Sequence, residues 1–324
     1  MKGASAGIHH ITAIAGDPQK NLDFYAGVLG LRLVKKTVNY DDPETYHFYF
    51  GDSGGEPGTI LTFFPWTTSG LKGHPGASQV TGIAFSVPSG ALGFWKKRLE
   101  LFHVELSGQK ESRDEERLAF HDPDGIGLEL VDSGNEPSEA AWPRRVPLQC
   151  AIRGFFSATL SVANPETTAA FLSSVLGLRP AGDHEGRLWL SAGDGVGTIA
   201  EVVNDPAKRP GRMGVGAVHH IAWRARDDAE QRDLRSAIIS TGKPATPVID
   251  RMYFHSVYFH EPNGILFEIA TDPPGFTRDE AADSLGQRLT LPPWLERLRP
   301  ALEKALPPVN AEHTVESRET WTQA

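Results

Sequence analysis

Short stretches of alternating or continuous apolar residues recur along the chain and predict β-strands. Residues 8–15 and 218–225 are two such stretches, and a segment with helical spacing of apolar positions follows each. The first helix is introduced by Asp17 and Pro18, where Asp can cap the helix and Pro suits its first turn. Gly30 is placed to end it.

Three more strands follow this first helix, at residues 32–39, 45–51 and 58–65. Clusters of Asp, Ser, Gly and Pro separate strands elsewhere in the chain, as expected for turns. The pattern therefore predicts a β-α-β-β-β module and an α+β fold class.

The β-α-β-β-β module occurs four times. Residues 8–32 and 155–179 correspond without a gap, and both end in Val-Leu-Gly-Leu-Arg. A second match relates residues 80–85 to residues 218–223. A duplication that holds its frame is a folding unit used repeatedly. The four modules begin near residues 8, 80, 155 and 217.

The module boundaries predict two domains. An N-terminal domain (residues 1–135, modules one and two) precedes a linker at 136–152 that is rich in Pro and polar residues. A C-terminal domain (153–275, modules three and four) precedes a tail at 276–324. Within this tail, residues 294–305 have apolar positions along one side and predict one amphipathic helix that packs on the body.

Composition excludes several classes of protein. The chain has 324 residues, 40% hydrophobic and 23% charged, and a net charge of −9 without a basic stripe. Nucleic acid and anionic membranes are therefore poor partners. No apolar stretch is long enough to span a bilayer, and no signal segment is evident, so a cytoplasmic location is expected. The single cysteine, Cys150, allows no internal disulfide and lies in no thiol-activating motif. A homo-oligomer remains open.

Two His-His pairs are the candidate chemistry. His9 and His10 lie in the first strand of module one, and His219 and His220 lie in the first strand of module four. Successive side chains of a strand point to opposite faces, so one histidine of each pair can face a given cavity. Modules two and three lack both pairs. Histidines that only some copies of a repeated strand retain indicate a chemical role.

Glu268 is the third candidate, in an apolar strand of module four. A buried carboxylate is costly unless it is neutralised, and a divalent metal does this. Two neutral imidazoles and one carboxylate leave about three positions of an octahedral ion open for substrate and O₂.

The duplication supplies an internal control. Shifting the candidates into the other half leaves only a glutamate, in the pairs His10/Ser157, His220/Gly82 and Glu268/Glu129. This pattern predicts that modules one and four share a live cavity and that modules two and three share an inert one. The other histidines are expected in turns (His121, His260) or exposed to solvent (His47, His74, His103, His184, His313).

The modules and several local strings resemble the vicinal oxygen chelate superfamily, which includes glyoxalases, fosfomycin-resistance enzymes and extradiol dioxygenases. Within it, the chain is similar to the hydroquinone-type ring-cleaving dioxygenases. The strings that carry this resemblance are residues 8–12, 30–38, 46–50, 57–65, 153–155, 218–220 and 267–268.

The resemblance implies two domains with open, U-shaped mixed β-barrels. It also implies that His10, His220 and Glu268 bind Fe(II), with Mn, Zn or Ni able to occupy the site in purified protein. Catechol extradiol enzymes draw their ligands from the C-terminal half alone. The departure here favours a para-diphenol substrate, a small aromatic compound that reacts with O₂.

The resemblance further implies residues around the metal that handle protons and charge. Arg251 would stabilise negative charge on an oxygen or form an ion pair at the surface. Tyr258 or a histidine would take or return a proton, with core packing as the alternative for Tyr258. His255 would line the substrate mouth or face the solvent. The set predicted to act in catalysis is His9, Thr12, His219, Arg251 and Tyr258.

Two alternatives stay open at this stage. One is a metal-dependent glyoxalase-like isomerase or thiol transferase with Zn, Ni or Mn, since Zn also accepts His and Glu. The other is a metal-free protein that binds aromatic compounds. The His10/His220/Glu268 set argues against the second.

Overall fold

A computed structural model describes residues 4–67, 71–112, 115–184, 186–204 and 210–311 of the chain, without side chains at 109–112. Its sixteen strands are β1 (Ile8–Ala15), β2 (Arg32–Asn39), β3 (Asp42–Gly51), β4 (Ile60–Pro65), β5 (Gln79–Val87), β6 (Leu106–Ser112), β7 (Glu115–His121), β8 (Gly127–Asp132), β9 (Gly154–Val162), β10 (Arg179–His184), β11 (Arg187–Ser191), β12 (Ile199–Asn204), β13 (Ala217–Ala225), β14 (Ile249–Asp250), β15 (Phe254–His260) and β16 (Leu266–Pro274).

The helices are α1 (Pro18–Leu22), α2 (Leu92–Leu101), α3 (Pro165–Ser174), α4 (Asp228–Ser240) and α5 (Arg299–Ala305). Helix α1 begins as predicted, because the Asp17 side chain accepts a hydrogen bond from the Lys20 amide and Pro18 occupies the first turn. It then continues as a π-helical segment at Asp23–Val28 and ends at Gly30, whose φ is +70°.

The strands form two eight-stranded mixed sheets, as predicted for the fold class. The first sheet has the order β14-β15-β16-β13-β1-β4-β3-β2, and the second has the order β10-β11-β12-β9-β5-β8-β7-β6. The first sheet therefore combines modules one and four, and the second combines modules two and three. Each sheet draws on both halves of the sequence, so the domain boundaries read from the chain order stay a prediction.

The tail packs across the first sheet. Thr290 donates a backbone hydrogen bond to the Lys36 carbonyl on β2, and the buried ammonium of Lys35 pairs with Asp279 and Glu280 at 2.6 and 2.5 Å. Tyr253, just before β15, donates its hydroxyl proton to Asp279 at 2.9 Å. The tail thus joins an edge strand of module one to a loop of module four.

The helix predicted at residues 294–305 is shorter than expected. Residues Glu296–Leu298 form a 3₁₀ turn, and α5 begins at Arg299. Pro300 explains the start, because proline lacks an amide proton and suits the first turn of a helix. Leu302 is buried, whereas Trp294 is about half exposed, so only part of the predicted apolar face packs on the body. None of the described helices is long and apolar enough to cross a bilayer.

Candidate metal centre

Three donor side chains meet in the middle of the first sheet. The Nε2 atom of His220 lies 2.9 Å from Oε2 of Glu268, and the Nε2 atom of His10 lies 3.4 Å from the same oxygen. The two Nε2 atoms are 3.4 Å apart, and all three side chains are buried. We call this group the His–His–Glu centre. Within the described part of the chain it is the group whose His, Cys, Asp or Glu side chains could hold a metal ion.

The strand register explains why residues so distant in sequence meet. Strands β1 and β13 are antiparallel neighbours that pair Thr12 with His220. Strands β13 and β16 are parallel neighbours that pair Ala222 with Glu268. Since alternate residues of a strand share a face, His220 and Glu268 project to the same side of adjacent strands. His10 joins them two positions before Thr12.

The electrostatics of the centre favour a neutral His220 ring and a charged carboxylate. Burial lowers the pKa of His220 below its ordinary value. Burial by itself would raise the pKa of Glu268, but His10 and His220 facing it outweigh this effect and hold that pKa well below its usual range. Neutral imidazole nitrogens and a carboxylate are ligands for Zn, Fe and related divalent metals.

One carboxylate oxygen of Glu268 is suited to bind a metal ion. Its Oε1 accepts a hydrogen bond from the Ser256 hydroxyl at 2.5 Å. Its Oε2 is buried and has no hydrogen-bond donor within the described residues. An orphaned carboxylate oxygen beside two imidazole lone pairs leaves a negatively charged point that a cation would satisfy. The residues present therefore fit a divalent metal.

The first histidine of each pair holds the second. Nδ1 of His9 lies 2.9 Å from Nδ1 of His10, and Nδ1 of His219 lies 2.8 Å from Nδ1 of His220. An Nε2 lone pair directed at the centre requires the proton on Nδ1, so His10 and His220 donate and their neighbours accept. The His9 ring also hydrogen-bonds the backbone of Thr271. These contacts fix the orientation of both donor rings.

A cavity of about 330 Å³ opens on the His–His–Glu centre. Its wall is mainly apolar and aromatic, with polar groups at intervals, and it includes Thr12, His47, Tyr49, His219, Arg251 and Tyr258. Arg251 lies over the ring of Tyr258, with 5.5 Å between its Cζ and the ring centroid. It also pairs with Asp41 across the mouth at 2.9 Å. Burial lowers the pKa of His219 to about 3, with help from His220, so its ring is neutral.

The structure brings most of the predicted site residues together. Thr12, His219, Arg251 and Tyr258 line the cavity. His9 is buried but lies behind the cavity wall, where it contacts His10 and Phe254.

The structure places His255 away from the cavity wall. Its ring pairs with Asp228 of α4 at 2.6 Å and is not among the residues that line the cavity. Neighbouring residues of a strand face opposite sides, so when Ser256 reaches Glu268, His255 must face away.

His47 is the residue that sequence reasoning missed. It was expected to be solvent-exposed, yet it lies in β3, lines the cavity and hydrogen-bonds Thr62 and Tyr49 at 2.9 Å each. Its position in a predicted strand, two residues before Tyr49, was the available signal. The pattern did not indicate which face of β3 would line the cavity. His313 lies outside the described residues.

The second sheet carries a different group at the equivalent place. Arg117 pairs with Glu129 at 2.8 Å and with Glu201 at 3.2 Å, and Arg187 pairs with Glu201 at 2.5 Å. We call these four residues the Arg–Glu centre. Ser157, which stands where the first sheet has His10, donates a hydrogen bond to Glu201 at 2.5 Å.

Known proteins resemble this chain over most of its length. The family model of the Glyoxalase/Bleomycin resistance protein/Dioxygenase superfamily matches residues 7–130 and 154–269. A Bacillus subtilis protein named "Putative ring-cleaving dioxygenase MhqO" is 49% identical over 95% of this chain and 98% of its own length. A chlorohydroquinone/hydroquinone 1,2-dioxygenase of Sphingobium indicum is 34% identical over 93% of this chain and 95% of its own length.

Solved structures extend the comparison. A crystal structure of a Bacillus subtilis protein described as a dioxygenase is 47% identical and superposes with a TM-score of 0.90, covering 95% of this chain and 98% of its own. Maize glyoxalase I is 14% identical with a TM-score of 0.61, covering 82% of this chain and 92% of its own, and it shares the fold. This chain belongs to the Glyoxalase/Bleomycin resistance protein/Dioxygenase superfamily.

Proposed function

We propose that this protein is an Fe(II)-dependent dioxygenase that cleaves the ring of a hydroquinone-type substrate. The observation that carries the proposal is the buried His–His–Glu centre at the floor of an aromatic-lined cavity. His10, His220 and Glu268 would hold the iron from one side. Relatives named as ring-cleaving and hydroquinone dioxygenases, similar over nearly the whole chain, support the reaction class.

The cavity suits a small aromatic ring. An apolar cavity of roughly 150 Å³ can hold benzene, and this one has about 330 Å³ with polar groups at its wall. Phe64, Phe254 and Tyr49 supply aromatic surface, and ring-to-ring contacts favour an aromatic ligand. When bound, Fe(II) would supply a site for a phenolic oxygen and for O₂, together with electron transfer between them.

The chain's own residues orient the substrate and handle protons. Arg251 brings a positive charge to the cavity and can stabilise a phenolate oxygen. Burial raises the pKa of Tyr258 above its ordinary value, so its hydroxyl stays protonated and serves as a hydrogen-bond donor. If His219 accepts a hydrogen bond at Nδ1 from His220, its neutral ring carries its own proton on Nε2, and the residue lines the cavity. Thr12 offers a hydroxyl beside His10.

Oxygen uptake tests the proposal. Protein loaded anaerobically with Fe(II) is expected to consume O₂ with a substituted hydroquinone, giving a ring-opened acid, and to do so faster than with the matching catechol. His220→Ala is expected to lose bound iron and turnover together. Turnover of a hemithioacetal with Zn or Ni, without Fe(II)-dependent oxygen uptake, would identify an isomerase and reject the proposal.

A further inference from the structure

A row of four hydrogen-bonding side chains crosses three neighbouring strands of the first sheet and ends beside the His–His–Glu centre. On β3, the Tyr49 hydroxyl lies 2.9 Å from Nδ1 of His47. Nε2 of His47 lies 2.9 Å from the Thr62 hydroxyl on β4. The Thr62 hydroxyl donates to the Thr12 hydroxyl on β1 at 2.8 Å. We call this row the Tyr–His–Thr–Thr chain.

The direction of every bond in the chain follows from one of them. Because Thr62 gives its proton to Thr12, its oxygen must accept from His47, which places the His47 proton on Nε2. Nδ1 of His47 then carries a lone pair and accepts from Tyr49. Burial raises the pKa of Tyr49 well above its usual range, so this hydroxyl always has a proton to donate.

Thr12, the last member of the Tyr–His–Thr–Thr chain, has a hydroxyl hydrogen that it can still donate. Thr12 uses its oxygen to accept from Thr62, and its own hydroxyl proton has no acceptor within the described residues. Thr12 also lines the cavity. The chain therefore delivers one oriented donor to the ligand that sits on the His–His–Glu centre, and that ligand must present an acceptor.

We propose that His47, with Tyr49 and Thr62, is a positioning residue that fixes the Thr12 hydroxyl as a donor to an oxygen of the bound ligand. The nature of that oxygen, a phenolate or one derived from O₂, rests on the proposed function. The order of protons along the chain does not, because it is set by protein atoms alone. The three hydrogen bonds that set this order join only these four side chains.

The second sheet supports a functional origin for the chain. Strand pairing places Thr159 where the first sheet has Thr12 and Glu201 where it has Thr62, since each threonine pairs with the named partner in the parallel ladder. Trp189 pairs with Glu201 as Tyr49 pairs with Thr62. Arg187, two residues before Trp189, therefore replaces His47. The chain is present in the sheet that has the histidine pairs and has been replaced in the sheet that lacks them.

The tautomer of His47 is the first test. Protein labelled with ¹⁵N-histidine, without metal and with diamagnetic Zn²⁺, reports which ring nitrogen carries the proton, and a His47→Gln variant assigns the signal. We expect the Nε2–H form in both states of the wild-type protein. Tyr49→Phe, which removes only the donor to Nδ1, should let both tautomers appear. A wild-type Nδ1–H form, or no change of the spectrum in Tyr49→Phe, would overturn the proposal.

Kinetics of two variants at Thr62 provide the second test. Thr62→Val keeps the shape of the side chain but cannot donate a hydrogen bond to Thr12, so the Thr12 hydroxyl is no longer held as a donor to the ligand. The loss of a hydrogen bond to a charged oxygen lowers kcat by about ten- to a hundredfold. Thr62→Ser keeps the hydroxyl and should restore most of that loss. Iron content should equal that of the wild type in both. Equal kcat values for Thr62→Val and the wild type would reject the role of the chain. If no hydroquinone is a substrate, the proposed function is rejected. The tautomer of His47 then tests by itself whether the hydrogen bonds of the Tyr–His–Thr–Thr chain run in the proposed direction.

Discussion

The two sheets solve the same electrostatic problem in different ways. Each carries a glutamate on the strand that pairs with the first strand of a module, Glu268 opposite Ala222 and Glu129 opposite Ala84. In the second sheet, Arg117 neutralises the carboxylate from the position that Ser256 occupies in the first. In the first sheet, no guanidinium or ammonium group contacts Glu268 within the described residues, and two imidazoles face it instead.

This difference indicates why the first sheet, and not the second, offers a candidate metal site. A fixed guanidinium closes a site, because it satisfies the buried charge permanently and occupies the space between the strands. Two imidazoles facing the carboxylate form a donor set that could hold an exchangeable cation. The two sheets share one scaffold, and they differ in whether arginine side chains or two histidines face the buried glutamate.

The largest expected effect separates the two glutamates. Glu268→Gln removes the charge that draws a cation into the centre. Because changes to residues that merely support a ligand already cost about 10–100-fold in metal affinity, we expect a loss greater than about a hundredfold in iron affinity. Glu129→Gln at the equivalent position should bind iron like the wild type. Metal analysis after dialysis and anaerobic titration measure both. Similar losses in the two variants would remove the distinction between an active and an inert sheet.

A stability measurement tests the Arg–Glu centre of the second sheet. Arg117→Leu leaves Glu201 buried with Arg187 as its remaining cationic partner, and breaking a buried pair costs about 3 kcal/mol in the free energy of unfolding. Iron content per folded molecule should not change. Chemical denaturation of the metal-free protein gives the first value, and metal analysis gives the second. Glu303→Gln, which removes the charge from one side of a surface pair with Arg299, is the control and should have little effect. Lower iron content in Arg117→Leu would link two centres that we regard as independent.

The smallest effect concerns the support of a donor ring. His9→Phe keeps a buried aromatic ring beside Phe254 but removes the acceptor for the Nδ1 proton of His10. We expect iron affinity to fall by about 10–100-fold, with the folded state retained. His9→Asn, which offers an amide oxygen near the former Nδ1 position, should recover part of the loss. Unchanged affinity in His9→Phe would mean that packing alone orients His10.

Three features could be predicted from the sequence, because repeats and residue types are sufficient to recognise them. The frame-preserving duplication located the four modules, and the histidine pairs marked modules one and four. The family pattern then selected His10, His220 and Glu268, which the fold places together. Alternation along a strand left one histidine of each pair as a candidate, and the resemblance indicated that it is the second.

The features that the sequence did not reveal depend on pairing between distant strands. His47 appeared to have no partner because Thr62 and Thr12 come beside it only when β3, β4 and β1 lie side by side. The Arg–Glu centre likewise joins residues of modules two and three that share no motif. The strand face of His255 depends on which neighbour reaches Glu268.

The sequence by itself determined the modules and the fold class, because local periodicity and repetition define the strands, and its resemblance to a known family indicated the three donors of the candidate metal centre. Only the tertiary structure decided three other features. Within the described residues Glu268 keeps one oxygen without a hydrogen-bond donor, Arg117 pairs with Glu129 at the equivalent place in the second sheet, and Tyr49, His47, Thr62 and Thr12 form one row of hydrogen bonds. Hydrogen bonds and ion pairs act over about 3 Å, and a one-residue change of register would redirect every side chain involved.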